Sequence, residues 1–230
     1  MLNLGTTKIA KLFLGTNKVK YVYQGTNKIW SGASVVSYYD GDTLIGAEEV
    51  DEGADVLHPS FSTAKTGYTL YGWTHIKGAD ERLETYTATG EPMTLYAIYL
   101  PNTLTVVSAT LDGSNYSPAV INSNYISGGT VVGANKWYSQ GHDENTTYFT
   151  LNKRQYANAS IVIQKTNYES DGWSKGYYDG SQISTGWSGS VAGGSHSMKA
   201  ETQNDRGSGG WAWCYVGITS LTLTNPTAWV

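Results

Sequence analysis

The chain has 230 residues, enough for one to three domains. Only 15% of them are charged, and 18 Tyr and 8 Trp far outnumber the 3 Phe. A formal net charge of −4 and a single cysteine, Cys214, exclude a broad basic footprint for nucleic acid, an intrachain disulfide and a Cys-rich zinc site.

Tyr and Trp carry a polar handle and suit half-exposed surfaces as well as cores. Thr, Val, Ile and Tyr favour pleated, half-buried strands. The expected class is therefore all-β with many turns. The N-terminus, Met1-Leu2-Asn3-Leu4-Gly5, has no apolar signal core, and no stretch has the apolar length of a membrane span. The expectation is synthesis in the cytoplasm without membrane insertion.

Residues 4–31 repeat with a period of ten. The units are Leu4-Gly5-Thr6-Thr7-Lys8-Ile9, Leu14-Gly15-Thr16-Asn17-Lys18-Val19 and Gln24-Gly25-Thr26-Asn27-Lys28-Ile29. Strand-like pieces, Ile9 to Phe13 and Val19 to Tyr23, lie between the blocks, and Gly and Asn supply the positive φ of tight turns. Strands this short bury too little apolar surface to stand alone. Residues 1–32 are accordingly expected to dock on something, through Lys8, Ile9, Lys18, Val19, Lys28, Ile29 and Trp30. The plainer alternative is a hairpin that completes the next domain. The Gly-Thr-x-Lys pattern closed by Trp30-Ser31 resembles repeats near the start of virion proteins of tailed bacteriophages.

Residues 33–101 open with a strand at Val35 to Tyr39 and a turn at Asp40-Gly41-Asp42. A second extended piece runs from Glu49 to Leu57. Gly53, Pro59, Gly67-Tyr68, Leu70, Gly72-Trp73 and Leu95-Tyr96-Ala97 follow in an order that resembles the Listeria–Bacteroides repeat, the B-repeat of internalin-type proteins. Leu70 replaces the usual Phe. The resemblance implies a small β-grasp-like α+β module with Tyr68 and Trp73 in its core, used as a spacer on surface proteins.

Residues 102–230 are long enough for a sizeable core. Leu104 to Leu111 alternates with a slip at Val107, as a β-bulge gives. Thr130 to Val132, Thr147 to Leu151 and Ser160 to Ile163 are further strand candidates. In Trp211 to Ile218, Ala212, Cys214, Val216 and Ile218 share one face, with Trp211, Trp213 and Tyr215 on the other. Both tryptophans read as core. Short strands with frequent turns point to a β-sandwich or jelly roll.

No motif for catalysis emerges. Gly186-Trp187-Ser188-Gly189-Ser190 lacks the last Gly of a nucleophile elbow, and the four histidines show no metal-ligand spacing. His142-Asp143-Glu144 is the densest polar cluster, but neighbours on an extended chain point apart and do not flank a glycosidic bond. The expectation is a non-enzyme with no cofactor and no metal; a calcium site at Asp112-Gly113-Ser114-Asn115 or at His142 to Asn145 is the alternative to ordinary turns, which use the same residues. Trp173, Tyr177, Tyr178 and Trp187 sit among Asp, Gly and Ser in loop-like sequence, a combination suited to packing on sugars while amides and carboxylates bond hydroxyls.

The three segments suggest attachment, spacer and head. The leading expectation is a virion protein, such as a head fibre, decoration protein or tail-associated adhesin. It would join capsid or tail proteins as a homo-oligomer, with a trimer the natural fibre geometry, and meet glycans with its head. It would be made in the host cytoplasm and released by lysis. The alternatives are a fragment of a bacterial cell-surface adhesin and a glycan-degrading enzyme.

Overall fold

The computed structural model describes residues 3–4, 7–8, 12–19, 21–31, 33–206 and 208–229, and every regular element among them is a strand. The chain divides into two units, Met1–Pro101 with Ala228–Val230, and Asn102–Thr227.

The repeat forms three separate hairpins: β1 (Asn3–Leu4) with β2 (Thr7–Lys8), β3 (Phe13–Leu14) with β4 (Asn17–Lys18), and β5 (Tyr21–Gln24) with β6 (Asn27–Ser31). Gly15 and Gly25 take φ of +65°, while Thr16 and Thr26 stay at negative φ. Glycine at the first central position is the signature of a type II′ turn, whose twist suits flanking strands. Strands therefore run up to Gly-Thr from both sides, and Asn17 and Asn27 start the returning strands instead of making the turns. The third hairpin is tied to its own unit, because the Tyr21 hydroxyl is hydrogen-bonded to Glu49.

Four strands follow: β7 (Ala33–Asp40), β8 (Thr43–Asp51), β9 (Tyr68–Thr74) and β10 (Met93–Pro101), in the order β8-β7-β10-β9. Only β7 and β10 are parallel; the other pairs are antiparallel. Val36, Tyr38, Trp73 and Leu95 form one buried face, covered by Val56, Leu57, Phe61, Leu83, Tyr86 and Ala88 from the connections. The Tyr38 hydroxyl donates to the Val56 carbonyl (2.9 Å), fixing the first connection to the sheet. Gly46 leaves room for the Phe61 ring, which a Cβ there would meet at 2.6 Å. Trp229 completes this unit: its amide donates to Leu70 O (2.8 Å) and its indole N–H to Leu57 O (3.0 Å).

Two expectations are corrected here. The covering segments are irregular where the B-repeat resemblance implied a helix; Gly53, Pro59 and Gly67 interrupt the 52–67 connection, where they favour turns over a helix. Tyr68 is not core. It is 43% exposed with the Lys65 ammonium 4.7 Å above its ring, whereas Trp73 is fully buried.

The second unit contains β11 (Thr103–Asp112), β12 (Asn115–Ile121), β13 (Ile126–Gly128), β14 (Val131–Trp137), β15 (Gly141–Leu151), β16 (Tyr156–Glu169), β17 (Gly172–Tyr178), β18 (Ser181–Ile183), β19 (Trp187–Ser190), β20 (Gly194–Asn204) and β21 (Trp211–Pro226). One sheet runs β12-β11-β21-β16-β19, with β14 beside the first half of the long β21; the other runs β13-β15-β20-β17-β18. They pack face to face as a β-sandwich. Ala212, Cys214, Val216 and Ile218 are fully buried, as are Met198 and Ala200 on the other sheet. Cys214 Sγ donates to Lys175 O (3.3 Å) and Ser174 Oγ to Trp213 O (3.3 Å), both across the sandwich. The slip near Val107 is a bulge, with the register shifting between Thr105 and Val107 so that Val106 and Val107 are both buried.

Candidate functional site

Three antiparallel strands, β15, β20 and β17, build the outward face of the second sheet. Their register sets His142 and Trp173 on either side of Gln203, Glu144 and Lys175 on either side of Glu201, and Thr146 and Tyr177 on either side of Lys199. Partners in an antiparallel ladder point to the same side. These three rows therefore carry the Trp173 and Tyr177 rings among imidazole, amide, carboxylate, ammonium and hydroxyl groups, and the exposed Tyr148, opposite Ser197, adds a further ring along the same face.

Contacts tie the rows together. Lys175 Nζ lies 4.2 Å from the Trp173 ring centroid, and the His142 ring is 5.6 Å away. Lys199 Nζ lies 4.9 Å from the Tyr177 centroid, bonds Glu144 Oε2 at 3.2 Å and also bonds Glu201. Thr146, Tyr177, Gly180, Ser197 and Lys199 line a shallow cleft of about 230 Å³.

The hydrogen bond to Glu201, then burial, raises the Tyr177 phenol above its ordinary range. The Glu201 bond likewise raises Lys199. Burial by itself would raise the Glu201 carboxyl, but the bonds from Lys199 and Tyr177 outweigh it and hold that group below the usual carboxylate range. Glu201 is thus poised to stay ionised and accept hydrogen bonds. His142, Glu144 and Glu201 bring ligand atoms within 4.8 Å of one another, but the Lys199 ammonium already bonds both carboxylates. A cation there would have to displace it.

The four aromatic residues marked in the sequence divide. Trp173 and Tyr177 share the outward face just described. Tyr178, their neighbour, alternates inward, is 8% exposed and stacks with Phe149 and His196, so it offers no free face to a ligand. Trp187 belongs to the other sheet and packs 5.0 Å from Tyr178. The segment read as a loop is a strand, and its period of two separates Tyr177 from Tyr178. His142, Glu144, Lys199, Glu201 and Gln203 were not marked as a site, although His142-x-Glu144-x-Thr146 and Lys199-x-Glu201-x-Gln203 are polar stripes at strand spacing. Asp143 faces the opposite way and accepts from the Asn135 amide (2.7 Å).

Trp211 and Trp213 are corrected too. They occupy the outward face of β21, half-buried, while the small residues between them fill the core.

Among the residues expected from the sequence to dock, Val19 donates its amide to Leu12 O (2.7 Å). Lys8 and Lys18 lie on β2 and β4; Lys28, Ile29 and Trp30 lie on β6, with Lys28 opposite Tyr23 and Trp30 opposite Val22. Ile9 lies outside the described residues.

Beside the cleft, Asp179 starts the β17–β18 turn at φ of +46°. It accepts from the Ser197 amide (2.8 Å) and bonds His196 Nδ1 (2.7 Å), while His196 Nε2 bonds Ala192 O (3.0 Å). Burial alone would raise the Asp179 carboxyl, but these bonds outweigh it and hold it below its ordinary value of 3.8. A group whose pKa falls on folding contributes stability that is full above its unfolded value and is lost as the pH drops through its folded one. Asp179→Asn is therefore expected to lower the urea midpoint at neutral pH, with the gap to the parent closing below about pH 4. A gap independent of pH between 2 and 7 would show that the carboxylate's charge contributes nothing.

No family model, curated protein or solved structure matches the chain.

Proposed function

We propose that this protein is a structural and adhesive component of a tailed-phage virion, docked through its N-terminal repeat and displaying a sandwich head that contacts glycans. The observation that carries this reading is the set of three hairpins at ten-residue spacing, each a two-stranded ladder of its own. Ladders of this size are marginal alone, and unpaired strand edges are templates for pairing with another chain. Copies of the same chain would close the edges, and capsid or tail proteins would hold the assembly. Many heads on one particle would multiply weak glycan contacts by avidity.

The Trp173–Tyr177 face supports the adhesive half. Its rings offer apolar surface, and Gln203, Glu201, Glu144 and Thr146 offer hydroxyl partners. A low Glu201 pKa suits binding and opposes general-acid catalysis, which needs a carboxyl raised toward neutrality.

Two measurements test the reading. Sedimentation equilibrium is expected to give an oligomer, a trimer by preference, for the full chain and a monomer once residues 1–32 are removed. A monomeric full chain at virion-like concentrations would sink the docking role. On glycan arrays, Trp173→Ala is expected to weaken binding by up to about tenfold, the value of one aromatic contact. Release of shortened glycan would make the protein an enzyme.

A further inference from the structure

The opposite side of the sandwich carries a second, denser group of rings. On the outward face of β14, β21 and β16, Trp137 is the register partner of Trp211, and Trp213 is the partner of Tyr168. Trp211 is the centre of a stack: Tyr168 lies 4.4 Å from it at 28°, and Trp137 lies 5.4 Å away at 21°. Trp213 and Tyr215 continue the row along β21, with centroids 5.8 Å apart. Gly133 makes space for this arrangement, since a Cβ there would lie 2.1 Å from the Tyr215 ring.

Because Trp211 is covered on both sides, the free ring faces belong to the ends of the stack. Trp137 is 50% exposed and Tyr168 is 44% exposed, and Tyr138, beside Trp137, is 67% exposed. Large exposed apolar groups in such a cluster mark a binding surface more often than chance.

The chemistry of the face selects its ligand. The alternate residues sharing it, from Val131 to Trp137, Trp211 to Gly217 and Gln164 to Ser170, include five aromatic side chains and no charged one. Lys136, Lys165 and Glu169 fall on the intervening positions. Single-stranded nucleic acid also stacks on aromatic rings but requires basic groups for its phosphates. An apolar protein partner would be matched by Leu, Ile and Met, whereas here Val131 is the only aliphatic residue, at the far end. The aromatic residues instead carry indole N–H and phenol groups, and among the described residues the indole nitrogens of Trp137, Trp211 and Trp213 have no protein acceptor. Tyr215 Oη donates to Asn135 Oδ1 (3.0 Å), adding an amide to the row. Rings with hydrogen-bonding edges and no net charge complement a sugar chain that has hydroxyls and no carboxylate or sulfate.

We infer that the Trp137–Trp211–Tyr168 face is a binding site for an uncharged polysaccharide, separate from the Trp173–Tyr177 face. Trp137 and Tyr168 supply the stacking surfaces, and Trp211 is a positioning residue that holds both rings upright.

Affinity electrophoresis of the full chain tests this, with xyloglucan, a mixed-linkage β-glucan and mannan as neutral probes and alginate as the acidic one. At least one neutral polysaccharide is expected to retard the protein. Trp137→Ala and Tyr168→Ala should each weaken that retardation about tenfold. Trp137→Phe, which keeps a ring, should retain most of it, and Tyr68→Ala, which removes an exposed ring of the first unit, should leave it unchanged. Unaltered thermal unfolding of the exposed-ring variants separates lost binding from lost fold; if either variant is destabilised, the Trp137→Phe comparison decides. The inference is overturned if no neutral polysaccharide retards the chain, if only alginate does, or if retardation survives the Trp137→Ala/Tyr168→Ala pair. Retardation abolished by Trp173→Ala alone would also overturn it, while leaving the proposed function standing.

Discussion

Replacing Trp73 by Ala is expected to unfold the first unit under conditions where the second stays folded. The indole is fully buried and meets Tyr38 edge-on at 5.0 Å, in the middle of a core built from few residues. Truncating a buried Trp to Ala costs about 3–5 kcal/mol, as much as a core of this size supplies. The loss is one of packing: Trp73 Nε1 is buried without a hydrogen-bond partner, so no polar contact disappears with it. Trp73→Phe, which removes that unpaired N–H and leaves a smaller void, should cost about 1–2 kcal/mol. Urea unfolding followed by near-ultraviolet circular dichroism checks both. An early transition for Trp73→Ala, preceding an unchanged second one, is the expected trace. A single transition shifted as a whole would mean that the two units unfold together.

Gly172→Ala is expected to be the most damaging small substitution in the sandwich. Gly172 starts β17 at φ of +125°, and a Cβ there would lie 1.9 Å from the carbonyl oxygen of Gln203. That atom is backbone of the central strand β20, so relief requires pulling β17 away from its Gly172–Asn204 pairing. Asn204 is itself fully buried, donating to Gly210 O (2.8 Å) and accepting from the Arg206 amide (3.0 Å), so the same movement disturbs the connection into β21. The expected loss is about 3 kcal/mol or more, from backbone strain and collision combined. Gly180→Ala is the matched control, at φ of +77° with open space around it, and should cost only the 1–2 kcal/mol or so of a left-handed alanine. Similar urea midpoints for the two variants would show that the β17–β20 contact yields easily.

Much of the fold is legible in the sequence. The Gly-Thr turns of the repeat read correctly as turns because only glycine enters positive φ without steric cost. Strand positions such as Thr147 to Leu151 and Ser160 to Ile163 followed from their apolar runs, and the bulge near Val107 from a broken alternation. The residues of the candidate site were less legible. Trp173 to Tyr178 looked like a loop because Gly, Ser and Asp are rare in strands. Yet β17 pairs with β20 along its full length, and that ladder forms whatever the residues' propensities. Once the segment is a strand, Tyr177 and Tyr178 must part, one to solvent and one to the core.

The sequence by itself determined an all-β chain, the period-two faces of strands such as β21 and the glycine-led turns at Gly15 and Gly25. These are local properties, settled by φ, ψ and the pleat. Only the tertiary structure decided which face of a strand turns inward. In β21 both faces are apolar: one carries Ala212, Cys214 and Val216, the other Trp211, Trp213 and Tyr215. The second sheet settles the matter: opposite this part of β21 it brings Gly176 so close that a Cβ there would lie 2.8 Å from Val216, so the layers close on Ala212, Cys214 and Val216. The large rings are therefore expelled to the outside, where they become a surface. Their polar handles had marked them as tolerant of either side, and packing density made the choice.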